Sequence, residues 1–160
     1  IALPKGRIAD ETLDRFEKAF GEKFVFEDRK LILEKSGFKF LNVRNQDVPT
    51  YVMHGAADLG VVGLDVLEEK EYDLIKLLDL KLGRCKVAFG LRAGEKLNFD
   101  KSKITIATKH EKIAKKYFEQ KAMAVEIIKL YGSIELAPMV GLCKCIVDMV
   151  ETGESMKQNG

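Results

Sequence analysis

The stretch from Val147 to Ser155 holds the residues best suited to chemistry. An apolar strand carries one carboxylate, Asp148, and runs into a turn containing Glu151, Thr152, Gly153, Glu154 and Ser155. Met156 to Gln158 then favour the start of a helix. A strand that ends in a small hydroxyl-bearing turn before a helix makes an anion pocket, because free backbone N–H groups and the helix dipole converge on one point. Thr152 and Ser155 add hydroxyl donors, and Gly153 lets the main chain approach closely. Asp148, at the strand end, can accept from sugar hydroxyls. Together these residues are what a site for a ribose 5-phosphate needs. An ordinary polar strand-to-helix turn has the same short pattern.

Cations at strand ends form the second set. Lys5 and Arg7 flank Gly6 directly after the first strand, Arg29 precedes the second, and Arg44 follows the third. Arginine suits bidentate binding of phosphate oxygens. Each of these cations alone fits a surface ion pair. Jointly they fit a polyphosphate-binding cleft, provided that the fold brings them together.

The elements that must position these groups alternate. Residues 1–4 read as a strand. Ile8 to Phe20 carry a helical stripe at Ile8, Leu13, Phe16, Ala19 and Phe20, with Gly21 as the stop. Strands are expected at Lys30–Leu33 and Lys39–Val43 around the turn Lys35-Ser36-Gly37. A helix is expected from Asp47 as cap, with Pro49 in its first turn, to about His54. Asp58–Gly63 reads as a short buried strand and Asp65–Glu71 as a helix, with further strands at Leu74–Leu80 and Lys86–Leu91. Arg92 to Ser102 is polar and reads as a loop. Strand and helix then alternate through Ile104–Thr108, Glu111–Gln120, Val125–Leu130, Ala137–Leu142 and Ile146–Val150. Such alternation argues for α/β layers with a largely parallel sheet. The change of character between Gly83 and Arg92 divides the chain into a first α/β lobe, 1–85, and a second, 86–160, around a cleft of the kind that holds ligands.

Several function classes are disfavoured. No G-x-x-x-x-G-K-[ST] loop or G-x-G-x-x-G turn is present, which removes the usual nucleotide signatures; there is also no G-x-S-x-G elbow and no plausible Ser/His/Asp set, so side-chain nucleophilic catalysis is not favoured. The net charge of +2 gives no electrostatic case for nucleic acid or an anionic membrane. No apolar run reaches the roughly 20 residues that a membrane span needs. Three cysteines, Cys85, Cys143 and Cys145, do not make a secreted disulfide framework. His54 and His110 lie far from them, which argues against zinc. Reduced, semi-buried thiols fit a cytoplasmic protein.

Six segments, in order and across nearly the whole chain, resemble the catalytic subunit of the ATP phosphoribosyltransferase family. They are Ala2–Arg7, Val43–Val52, Gly55–Gly63, Ile106–Lys109, Gly132–Pro138 and Asp148–Ser155. The resemblance implies two lobes similar to the type II periplasmic-binding-protein fold. It implies a reaction in which adenine N1 of ATP attacks C1 of phosphoribosyl pyrophosphate, releasing pyrophosphate, as the first step of histidine biosynthesis. Mg²⁺ would be carried by the substrate phosphates rather than by a protein metal site. Such chemistry needs alignment of two anions and neutralisation of the leaving group, not a protein nucleophile.

Site roles follow from the resemblance. Asp148 would contact the ribose hydroxyls or stabilise charge developing on the ring. Glu151, Thr152, Gly153, Glu154 and Ser155 would hold the 5-phosphate. Arg29 and Arg44 would stabilise leaving pyrophosphate, with Lys5 and Arg7 adding phosphate contacts. Tyr51 and the segment with Asp58, Gly60 and Gly63 would line the ATP side. Glu135 either faces the cleft or caps the helix at Leu136.

This chain departs from the family at four points, one of them Lys81-Leu82 in place of a more glycine- or aromatic-rich turn. Ser155 stands where Thr is usual, Cys143-Lys144-Cys145 replaces a small/acidic segment, and the family chain continues past the position of Gly160 to close the first lobe. The compact spacing between Leu67 and Cys85 resembles the short form, which works with a histidyl-tRNA-synthetase-like regulatory subunit. A homodimer, that hetero-oligomer, or both are expected. The alternative is a non-catalytic small-molecule-binding module of the periplasmic type, since fold alone does not separate the two.

Overall fold

The computed structural model describes residues 1–96 and 104–158, apart from the Ser155 side chain. The chain forms two compact units, Ile1–Gly83 and Arg84–Gly160, each with its own sheet. The part of the expected loop from residue 97 onward lies outside the described residues.

In the first unit, β1 (Ala2–Pro4) leads through Gly6 into α1 (Arg7–Phe20). Gly21 ends that helix in the left-handed region (φ 72°), its N–H donating to the Glu17 carbonyl, the usual way a glycine satisfies a helix end. β2 (Ile32–Lys35) and β3 (Phe38–Val43) make a hairpin. Its two loop residues, Ser36 and Gly37, both have positive φ (51° and 79°), as the tightest hairpin turns require. A 3₁₀ turn at Asn45–Asp47 precedes α2 (Val48–Met53), and α3 spans Leu64–Lys70. Pro49 lies in the first turn of α2 as expected, whereas Asp47 sits at the cap position without a side-chain capping bond.

Sheet order is β1-β3-β2, with β1 and β3 parallel and β2 antiparallel to β3. Alternation along the strands sends Leu3 and Phe40 to one face, where they pack with Ala9, Leu13 and Phe24. Phe16 stands edge-on to Phe40 at 5.0 Å between ring centroids, a geometry worth about 0.5–1.5 kcal/mol beyond the buried area. Ala2 and Val48 pack with Ala57 in a separate cluster under α2.

The second unit orders its strands β4-β7-β5-β6: β4 (Lys86–Leu91), β5 (Ile104–Thr108), β6 (Val125–Lys129) and β7 (Cys145–Val150). β7, β5 and β6 are parallel, and β4 is antiparallel to β7. α4 (Glu111–Gln120) connects β5 to β6, with α5 (Leu136–Met139) and α6 (Glu154–Gln158) following. Ile104, Ile106, Cys145 and Val147 face Ala114 and Phe118 of α4. Ala107 and Ile146 face the other way, onto Ile134, Ala137 and Cys143. None of the three cysteines is in a disulfide; Cys85 is exposed and the other two are buried. Burial pushes the Cys145 thiol up to about 12 and also raises that of Cys143.

Three expectations need correction. The first sheet is mixed rather than largely parallel, because β2 is antiparallel to β3, while the second is largely parallel with β4 as an antiparallel edge strand. Leu74–Leu80 forms no strand; Ile75, Leu77 and Leu78 are 86%, 71% and 78% exposed. An apolar run becomes a strand only where a neighbour supplies backbone partners. Asp58–Gly63 is not a buried strand either. It is exposed to half-buried and meets β1 through one bridge, Ala2 to Gly60.

Candidate active site

Ligands in open α/β sheets bind beyond the carboxyl ends of parallel strands, and each unit gathers candidate residues at such an edge. In the second unit β5 and β7 run side by side with Thr108 opposite Val147. The next residues on each strand are Lys109 and Asp148. Their side chains meet, with Lys109 Nζ 3.2 Å from Asp148 Oδ1. The same oxygen accepts the Met149 N–H at 2.8 Å.

After β7 the chain turns through Glu151, Thr152 and Gly153 into α6. Gly153 has φ 77°, a conformation that favours glycine, so the turn requires this residue. Thr152 Oγ1 accepts the Glu154 N–H at 3.4 Å, and Lys157 N–H closes on the Gly153 carbonyl at 3.0 Å. Thr152, Glu154, Lys157 and Gln158 line an open pocket of about 250 Å³. Glu151 and Glu154 are exposed, and their carboxylates repel an anion, so in this turn the donors are backbone amides and hydroxyls. α6 has only five residues, which makes its dipole a weak contributor. Ser155 begins its second position, but its side chain lies outside the described residues.

The first unit repeats the arrangement. Lys5 N–H donates to the Val43 carbonyl at 2.9 Å, so Lys5 and Arg44 leave adjacent parallel strands together. β2 begins at this same edge, since the Asn42 N–H donates to the Leu31 carbonyl at 2.8 Å. Arg29, just before β2, is therefore carried toward the edge that holds Lys5 and Arg44. Arg29 has φ 56° in an exposed turn, a strained conformation for a side-chain-bearing residue and one that tends to occur at functional sites. Asn42 and Asn45 each have a buried side-chain oxygen with no hydrogen-bond partner among the described residues. Orphaned polar groups of this kind are costly and ask for an explanation; a polar ligand at this edge supplies one. Arg7 lies in the first turn of α1, paired with Glu11 at 3.3 Å.

The residues expected on the ATP side separate. Tyr51 is an exposed residue of α2. Asp58 lies at the opposite end of β1 from Lys5, because the following Leu59 accepts the Ala2 N–H. Gly63 caps α3 and comes near Asn45 at the cation edge. At Gly60 a Cβ would sit 2.7 Å from Val48 Cγ1 and 3.0 Å from Val52 Cγ2, so that glycine lets α2 pack on the sheet. Glu135 occupies the cap position of α5 without a side-chain capping bond.

Comparison with known proteins decides the family. The family model described as "HisG: ATP phosphoribosyltransferase" matches residues 44–160. An ATP phosphoribosyltransferase from Wolinella succinogenes is 70% identical over 99% of this chain and 77% of its own length. The chain belongs to the ATP phosphoribosyltransferase family. A Helicobacter hepaticus relative of the same name is 58% identical over 99% of this chain and 78% of its own length. A solved structure, the ATP phosphoribosyl transferase (HisG:HisZ) complex from Thermotoga maritima, matches with a TM-score of 0.78. It is 37% identical and covers 99% of this chain and 77% of that chain.

Family membership makes the protein a phosphoribosyltransferase, of the glycosyltransferase class, in histidine biosynthesis. Enzymes of this class usually use a metal ion. Among the described residues no group of three or more His, Cys, Asp or Glu side chains is placed to hold one. The sequence alone gives Lys109 no role in the site. Its sequence signal is a lysine directly after the strand Ile104–Thr108, which becomes meaningful only once β5 is known to neighbour β7.

Proposed function

We propose that the protein condenses ATP with phosphoribosyl pyrophosphate, adenine N1 displacing pyrophosphate from C1 of the ribose, to give phosphoribosyl-ATP. The observation that carries this reading is the pairing of an acid-bearing strand end with a Thr-Gly turn in a chain 70% identical to a relative of that name. The backbone amides and hydroxyls from Thr152 to Ser155 hold the 5-phosphate, and Asp148 receives the ribose hydroxyls. Lys5, Arg29 and Arg44 neutralise the departing pyrophosphate, with Arg7 adding a phosphate contact. That electrostatic task is commonly the largest single contribution to catalysis. Tyr51 and Gly63 serve the ATP side; Asp58 and Gly60 have weaker support, given their positions at the far strand end and under α2.

Mg²⁺ fits as the metal. An ion bound mainly through substrate phosphates and water needs no protein cage, so the substrate phosphates would carry it. When bound it neutralises charge on the pyrophosphate.

The protein acts as the short form in the cytoplasm, with a histidyl-tRNA-synthetase-like subunit and, with or without it, as a homodimer. Two facts support this. The Wolinella relative, of which 159 residues are 77%, is itself only about 206 residues long. The Thermotoga structure is of a HisG:HisZ complex. No described helix is long and apolar enough to cross a membrane.

The test is product analysis of a mixture of ATP, phosphoribosyl pyrophosphate and Mg²⁺, with and without the partner subunit. Stoichiometric phosphoribosyl-ATP and pyrophosphate are expected. Phosphoribosyl pyrophosphate left intact in the presence of both subunits would contradict the assignment.

A further inference from the structure

We propose that Lys109 is a positioning residue for Asp148, acting on phosphoribosyl pyrophosphate through that carboxylate and not by touching the phosphates itself. The inference rests on the proposed role of Asp148 at the ribose. Its basis is register and facing. Thr108 lies opposite Val147, so the residues that follow come abreast. Ala107 and Ile146 share one face of the sheet, packed on Ile134 and Ala137. Strand alternation puts Lys109 and Asp148 on that same face.

The contacts of the carboxylate are one-sided. Oδ1 takes both the Lys109 ammonium and the Met149 N–H, which fixes the plane of the group. Oδ2 makes no hydrogen bond or ion pair among the described residues, and it is the oxygen left to receive a sugar hydroxyl. The Asp148 side chain is only 13% exposed, against 38% for Lys109. A sheltered carboxylate is costly without a cationic partner. Pairs such as Lys115–Glu119, about two-thirds exposed at both ends, contribute little by comparison. The pair also presents an incoming polyanion with a neutralised acid in place of a bare negative charge.

The experiment measures binding of phosphoribosyl pyrophosphate with Mg²⁺ to the complete protein by titration calorimetry, together with steady-state kinetics in the presence of the partner subunit. Lys109→Met keeps the aliphatic stem and removes the charge. We expect it to raise the Kd and KM for phosphoribosyl pyrophosphate about tenfold, the scale of losing an oriented supporting partner. The KM for ATP stays unchanged, and Lys109→Arg restores most of the affinity. In an Asp148→Asn background, Lys109→Met adds no further loss, because the two act as one unit.

An equal loss in both backgrounds would show that the lysine touches substrate directly and would overturn the inference. So would Lys109→Met binding like wild type. If both lysine variants lose affinity only in step with a fall in Tm, the role is structural and the inference again fails. Wild-type protein that binds no phosphoribosyl pyrophosphate would overturn the proposed function along with it; binding without coupling between the two positions would overturn this inference alone.

Discussion

Lys5 and Arg44 leave the first sheet side by side because the Lys5 N–H donates to the Val43 carbonyl at 2.9 Å. They lie 39 positions apart in the chain, and one parallel strand pairing brings them together. Lys109 and Asp148 are joined in the same manner in the second sheet. Each edge thus combines a short strand, a buried core behind it and charge at its carboxyl end. Anions are best held where rigid strands aim cations and backbone donors without reorganisation.

Arg29 allows function to be separated from folding. Its φ of 56° is a strained conformation for an arginine and an easy one for glycine. Arg29→Gly should relieve that strain, leaving stability at or slightly above wild type in a urea melt, while turnover falls about tenfold or more with loss of a charged phosphate donor. A stable variant with unchanged turnover would remove Arg29 from the site.

Gly60 gives the reverse expectation. A Cβ there would meet Val48 and Val52, so Gly60→Val should destabilise the first unit by about 1–3 kcal/mol, the usual cost of overpacking a core. Thermal melts would show it. The KM for ATP should change little at temperatures where the variant is folded; a selective rise in that KM would restore Gly60 to the ATP site.

These two residues also show what the sequence could and could not reveal. Strand and helix alternation was legible because buried faces impose periodicity: Leu3 and Phe40 point to one core, Ile106 and Val147 to another. The turn after β7 was legible because Gly153 follows a strand and a hydroxyl residue. Pairing was not legible. Leu74–Leu80 has strand-like apolar content yet no ladder. Gly60 has the composition of a ligand loop but serves helix packing. Lys109 carries no mark until β5 and β7 are neighbours. Local pattern fixes which face a residue occupies; which strand lies beside it depends on contacts distant in sequence.

Thiol chemistry should divide the cysteines. Cys85 is exposed, whereas Cys143 and Cys145 are buried with their thiols pushed up, Cys145 to about 12. One thiol should react quickly with an aromatic disulfide reagent in native protein, and three after unfolding. The pH consequence has a definite sign. Between about 9 and 12 the unfolded chain releases the Cys145 proton while the folded chain keeps it, so stability falls as pH rises through that window and is fully present below it. Urea melts across this range would check it in a Cys85→Ser background. Three fast thiols, or stability rising with pH, would contradict the buried placement.

The central claim is that Arg44 and Asp148 are each needed for the transfer reaction. The most direct measurement is the initial rate of phosphoribosyl-ATP formation, followed by ultraviolet absorbance with the partner subunit, Mg²⁺ and pyrophosphatase present. Wild type, Arg44→Ala and Asp148→Ala are compared, with Tm recorded for each. We predict turnover by wild type, a fall of about 10²–10³ in Arg44→Ala as for loss of one charge-stabilising donor, and no detectable product from Asp148→Ala. Both variants should melt near wild type. Full turnover by either folded variant would contradict the account.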